Sequence, residues 1–205
     1  MKIALFGGTF DPIHRGHVEL ARAAADAFGL DEVWLIPSGS PPHKRRATEA
    51  SYEHRYRMVA LACAADRRLK PSRLEAPEEG REQHYSIDTI RRVLAQIGES
   101  QSPYFLLGCD AFAEITTWHR WREIVELVEF IVATRPGSEL PEDAVPKGAR
   151  LHWLRNLHIP ISSSEVRERL RAGKPVEDCL TPEVAAYIGE QRLYAPDRVQ
   201  PMGSS

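Results

Sequence analysis

The stretch "KIALFGGTFDPIHRGH" (Lys2–His17) joins an unbroken apolar run to two glycines, a threonine and two histidines three positions apart. An apolar run without alternation reads as a strand buried on both faces, as strands of a parallel sheet are. The next segment, "GHVELARAAADAF" (Gly16–Phe28), repeats its apolar residues at helical spacing. Strand, glycine turn and helix in that order open a βαβ unit. In open parallel sheets, ligands sit beyond the carboxyl ends of the strands. Glycines there let the backbone approach a ligand closely. The helix start presents unpaired N–H groups and positive potential, both suited to phosphate. His14 and His17 fall on one side of that start, and both can donate to phosphate oxygens. The plainer reading is a tight turn with a helix cap and two surface histidines. Neither GxGxxG nor GxxxxGK[ST] occurs here, so neither a dinucleotide fingerprint nor a P-loop is supported.

The same grammar recurs downstream. "EVWLIP" (Glu32–Pro37), "PYFLLG" (Pro103–Gly108) and "EFIVATRPG" from Glu129 read as further buried strands. Helical patterns cover Tyr52–Ala65, Ser86–Ile97 and Trp121–Val128. The Pro-rich, charged segment Arg135–Ala149 reads as a surface loop leading into a short strand, "LHWLR". Strands alternating with helices predict an α/β fold, a doubly wound parallel sheet with helices on both faces. No internal repeat is present. A single domain over residues 1–194 is expected, with 195–205 a frayed tail.

Bulk composition narrows the function classes. At 205 residues the chain is long enough to bury a full core. Its 27 Lys+Arg against 29 Asp+Glu leave no global basic field. That argues against nucleic-acid wrapping while leaving room for a local basic pocket. No apolar run approaches the ~20 residues that span a bilayer, so no membrane partner is expected. The opening "MKIALFGG" is too short an apolar run for a signal peptide. Cys63, Cys109 and Cys179 are odd in number and form no CxxC pair, so a cytoplasmic location is expected and a zinc site is not.

Two more clusters suit phosphate. "PSGSPPHKRR" (Pro37–Arg46) follows the second strand and carries His43 and Lys44. Basic side chains there can cover a polyphosphate, although alone the segment reads as a solvated basic turn. "IPISSSEVRERL" (Ile159–Leu170) sets Ser162 three residues before Glu165, a capping-box pattern that starts a helix. Serines cap helices for stability alone, yet Ser162, Ser163 and Arg167 also make a cradle of hydroxyls, N–H groups and a guanidinium. Three such elements on one chain point to one polyphosphate site.

"GGTFDPIHRGH", "PPHK" and "ISSSEVR", in that order, resemble the nucleotidyltransferase superfamily with the HxGH signature. Within it, order and spacing are similar to the bacterial nicotinate mononucleotide adenylyltransferases from Lys2 to about Tyr194. The resemblance implies a Rossmann-like fold. It also implies transfer of AMP from ATP to nicotinate mononucleotide, with Mg²⁺ carried by the phosphates rather than by side chains, in NAD biosynthesis. For ATP it implies Gly8, Thr9, Phe10, His14, Gly16, His17, Asp110 of "GCD", Arg135 of "ATRPG", Ser162, Ser163 and Arg167. For the acceptor it implies Gly8, Thr9, Phe10, His43, Lys44, Ser86 and Trp118, the last stacking on the pyridine ring as aromatic faces do. Ser86 stands where threonine is usual. By residue pattern alone, Trp118 and Trp121 read equally well as packing aromatics.

The attacking group is a phosphate whose second pKa lies near ~6, so it needs no catalytic base. The protein must instead align two anions and stabilise charge developing at phosphorus. His17 is expected on the α-phosphate with His14 beside it, and Lys44 and Arg167 on the leaving phosphates. Phosphopantetheine adenylyltransferase, the amide mononucleotide as acceptor, and a non-catalytic nucleotide-binding module are the alternatives. The sequence carries no signal for oligomeric state.

Overall fold

In the computed structural model, residues 1–39, 48–78, 84–98, 101–134, 144–155, 157 and 160–195 are described. Six strands form one sheet: β1 (Ile3–Gly8), β2 (Glu32–Pro37), β3 (Leu69–Pro71), β4 (Tyr104–Gly108), β5 (Glu129–Ala133) and β6 (Leu151–Leu154). All five pairings are parallel, in the order β3-β2-β1-β4-β5-β6. Among the described residues seven α-helices accompany them: α1 (Arg15–Phe28), α2 (Tyr52–Cys63), α3 (Ser86–Ile97), α4 (Cys109–Ala113), α5 (Trp121–Leu127), α6 (Ser163–Arg171) and α7 (Pro182–Glu190), with a 3₁₀ turn at Ile115–Thr117. The expected α/β class and Rossmann-like winding are what the chain adopts.

Alternate side chains of each strand feed two separate cores. Ala4, Phe6, Val33, Leu35, Leu106 and Ile131 pack on one face with the apolar stripe Val18, Ala21 and Ala25 of α1. Ile3, Leu5, Leu107, Phe130 and Val132 pack on the other with Ile87, Ile90 and Leu94 of α3. A strand covered on both faces has no polar side to show, which is why these runs do not alternate. Helix α1 stops at Gly29, whose φ of 60° closes a left-handed cap with its N–H on the Ala25 carbonyl.

Three elements escaped the sequence reading. Strand β3 is only three residues, "LKP", too short to show a period. Helix α4 continues directly from β4, so no turn signal separates them. Helix α7 does carry a start signal: Thr181 caps it by accepting from Val184 N, and Pro182 opens it. The three cysteines are buried and free. Among the described residues, no helix is long and apolar enough to cross a membrane. Of the tail expected at 195–205, residues 196–205 lie outside the described residues.

The strand order sets where a ligand can enter. From β1 the chain winds outward through β2 to β3, and from β4 it winds the opposite way through β5 to β6. Loops leaving β1 and β4 therefore diverge and leave a crevice at their carboxyl ends. The stretch Gly7–His17 lies at that point.

Candidate active site

Helix α1 begins at the crevice with His14 as its N-cap residue, in extended conformation (φ −136°, ψ 170°). The backbone N–H of His14 donates to Nδ1 of His17 at 3.3 Å. An Nδ1 that accepts leaves the neutral ring's proton on Nε2, so His17 keeps an N–H donor there. The two imidazoles stack with centroids 3.7 Å apart and planes 24° from parallel. His14 is 6% exposed, and its Nδ1 is buried with no hydrogen-bond partner among the described residues. Burial lowers its pKa to about 4, because the imidazolium loses hydration without gaining an anion. Near neutral pH His14 is therefore uncharged.

Behind this pair, Phe10 is 2% exposed and stands edge-on to His17 at 5.0 Å and to Phe6 at 5.5 Å. Phe10 adopts a φ of 50°, which turns its ring back over the loop. A Cβ on Gly8 would come within 2.8 Å of that ring, whereas one on Gly7 would meet nothing within 4 Å. The two glycines thus do different jobs. Gly8 makes room for Phe10, and only Gly7 leaves its face open.

Two chambers flank the crevice. One, of about 280 Å³, is lined by His14, Gly16, His17, Asp110, Ser162 and Ser163. Ser162 caps α6 by accepting from Glu165 N at 3.2 Å, and Ser163 Oγ donates to the Pro12 carbonyl at 3.0 Å. Ser162 thus caps the helix and keeps its hydroxyl proton to donate, whereas the Ser163 proton is taken by the Pro12 carbonyl and that hydroxyl offers only lone pairs. The N-termini of α1 and α6 open into this one cavity. The other chamber, of about 360 Å³, is lined by Gly7, Gly8, Thr9, Ser86, Trp118 and His119. Ser86 is the first residue of α3, and Trp118 is held edge-on to Phe105 at 5.8 Å. A wider open groove of about 750 Å³ runs along β3 and α3. Two of its arginines are committed to carboxylates, Arg73 to Glu53 and Arg92 to Glu78, and none of the loop residues Gly7–His17 lines it.

The structure thus gathers His14, Gly16, His17, Asp110, Ser162 and Ser163 around one chamber and Gly8, Thr9, Ser86 and Trp118 around the other. Phe10 is placed beneath them as packing. Arg167 lines neither chamber: its Nε donates to Glu49 Oε1 at 2.8 Å and its Nη1 to the Asp11 carbonyl at 2.7 Å. His43, Lys44 and Arg135 lie outside the described residues.

Sequence reasoning missed a buried polar frame under the loop. Asp11 is 5% exposed and accepts from Glu49 N (2.8 Å), Ala50 N (3.1 Å) and Tyr194 Oη (2.6 Å). Arg55, 1% exposed, reaches the Thr9, Ser38 and Ala50 carbonyls. A signal for Arg55 exists: it falls in line with Tyr52, Met58, Val59 and Ala62, the buried stripe of α2. Tyr194, 183 positions from Asp11, has no such signal.

The sequence pattern of the cytidylyltransferase-like family matches residues 5–169. The chain belongs to the cytidylyltransferase-like family. Curated relatives of this cytidylyltransferase-like chain carry a narrower name. A probable nicotinate-nucleotide adenylyltransferase of Solibacter usitatus is 47% identical over 95% of this chain and 100% of its own length. One of Chromobacterium violaceum is 37% identical over 94% of this chain and 98% of its own. Among solved structures, the nicotinic acid mononucleotide adenylyltransferase of Plasmodium falciparum complexed with NaAD superposes with a TM-score of 0.76. It covers 94% of this chain and 97% of its own, at 21% identity. That likeness shares the fold.

Proposed function

We propose that this cytidylyltransferase-like chain is a nicotinate-nucleotide adenylyltransferase, joining the adenylyl group of ATP to nicotinate mononucleotide and releasing pyrophosphate. The relatives that match nearly its whole length carry that name. The observation that carries the reading in the molecule is the pair of helix N-termini, α1 and α6, opening into a single cavity beside His17. Two helix dipoles aimed into one cavity favour a multiply charged anion. The second chamber offers the tryptophan face of Trp118 and the start of the 12-residue helix α3. A flat ring carrying a carboxylate suits that combination.

In this reading ATP places its phosphates against His14, His17, Ser162 and Ser163, with Asp110 near the ribose. The acceptor phosphate attacks the α-phosphorus in line, forming a new P–O–P bond as the bond to pyrophosphate breaks. No covalent enzyme intermediate is needed and no base, because the nucleophile is already anionic. His17 donates from Nε2 to an α-phosphate oxygen as charge accumulates there. His14 gains an anionic partner for its buried ring. Arg167 braces the loop through the Asp11 carbonyl, and by family resemblance Lys44 is assigned to the leaving phosphates, His43 to the acceptor and Arg135 to the adenine. Among the described residues, no cluster of three metal-ligating side chains occurs. Asp110 is the single carboxylate lining the first chamber among them. That donor set fits Mg²⁺ held chiefly by the phosphates of ATP, where it neutralises their charge.

The deciding assay is pyrophosphate release with ATP and Mg²⁺ and, in turn, nicotinate mononucleotide, nicotinamide mononucleotide and phosphopantetheine. Release is expected with the first and much less with the second. Release with phosphopantetheine only, or with none, overturns the proposal.

A further inference from the structure

Arg55 is the largest of the fully buried side chains among the described residues, on the inward stripe of α2. Such a position normally holds an apolar residue, since a buried guanidinium must satisfy every donor or lose stability. Among the described residues its hydrogen bonds go to main-chain carbonyls: Nη1 to Thr9 at 2.7 Å, Nη2 to Ser38 at 2.8 Å and Nε to Ala50 at 3.3 Å. Those three carbonyls belong to three different segments, the loop after β1, the end of β2 and the lead-in to α2. Strands β1 and β2 stay paired up to Gly8 and Pro37, followed by one last bond from Ser38 N to the Gly8 carbonyl at 2.8 Å. Beyond that bond the two chains separate, and the guanidinium bridges the gap. Asp11 lies near enough to balance its charge, and Asp11 also anchors Glu49 and Ala50.

Thr9 and Ser38 both line the 360 Å³ chamber that also holds Trp118. We propose that Arg55 is a positioning residue for acceptor binding: by spanning the Thr9 and Ser38 carbonyls, its planar fork fixes the width of the acceptor chamber. The inference rests on the adenylyltransferase reading for the identity of the acceptor. The first chamber contains neither Thr9 nor Ser38 among its lining residues, so the ATP side depends less on the clamp. A lysine in place of Arg55 carries the charge but has no fork with which to span two carbonyls.

The test compares Arg55→Lys and Arg55→Gln with the wild type, well below their melting temperatures. Quenching of tryptophan fluorescence by nicotinate mononucleotide alone reports acceptor binding without turnover. Steady-state kinetics give KM for each substrate and kcat. The expected result for Arg55→Lys is acceptor Kd and KM raised at least about tenfold, the scale of one lost bond to a charged donor, with KM for ATP moved less than about twofold. A lowered melting temperature with both KM values unchanged would show a stability role only and overturn the proposal. An equal rise in both KM values would overturn it too. Should Arg55→Gln fail to fold, Arg55→Lys decides alone. If Arg55→Lys also fails to fold, the role is structural and the proposal falls. Wild-type protein without turnover on nicotinate mononucleotide would refute the functional reading instead, which separates the two failures.

Discussion

Acidifying the protein should weaken its folding through one side chain, His14, and the size of the effect follows from its burial. The ring has a pKa of about 4 in the folded chain against an ordinary value of 6.5. The unfolded chain thus binds a proton that the folded chain excludes across that whole interval. Stability is full above the unfolded value and falls as the pH drops through the interval toward the folded value. Linkage with those two values gives a loss of about 2 kcal/mol between about pH 7 and about pH 5 from this group alone. The perturbation that isolates it is His14→Asn, which keeps a side chain suited to the N-cap of α1 and cannot titrate. Urea denaturation of wild type and variant at both pH values supplies the four free energies. The expected outcome is a pH-dependent loss larger in the wild type by about 2 kcal/mol. Equal losses in the two proteins would refute the reasoning. Bound ATP should narrow the difference, because phosphate beside the ring favours the imidazolium. Proton uptake on ATP binding near pH 5.5, followed by calorimetry in buffers of different ionisation enthalpy, checks that link.

Other perturbations separate the roles of neighbouring residues. His17→Ala should lower kcat by ~10²-fold or more, the scale of losing one donor to developing charge. Steady-state turnover checks it, and a variant keeping most of its kcat refutes the assignment. Gly8→Ala should destabilise by about 1–3 kcal/mol, because the new methyl meets the buried Phe10 ring and pushes it toward His17. Urea denaturation reads the loss, and Gly7→Ala, whose methyl meets nothing, is the control for stability. Trp118→Ala should raise KM for nicotinate mononucleotide by about tenfold while leaving KM for ATP nearly unchanged, the scale of one aromatic stacking contact. Parallel titrations of the two substrates report it.

Local sequence determined the sheet and the position of the site. Unbroken runs such as "IALFGG" and "YFLLG" must be covered on both faces, and only a parallel sheet wrapped by helices supplies that. The glycine turn and the two histidines after β1 mark the strand end where the chain reverses its winding, so their place in the fold is legible from their place in the chain. Serines 162 and 163 announce a helix start in the same way. Tertiary structure alone decided which of these residues share a cavity and how each is restrained. Burial, which no local pattern specifies, holds His14 neutral and stacks it on His17. The Phe10 ring claims the space that Gly8 leaves, a contact that depends on a positive φ at Phe10. Arg55 on an apolar stripe and Tyr194 at the far end of the chain join under the loop only after the sheet brings them together. Strand and helix periods are set by neighbours in sequence. A buried hydrogen bond between residues 183 positions apart is set by packing, and sequence spacing carries no trace of it.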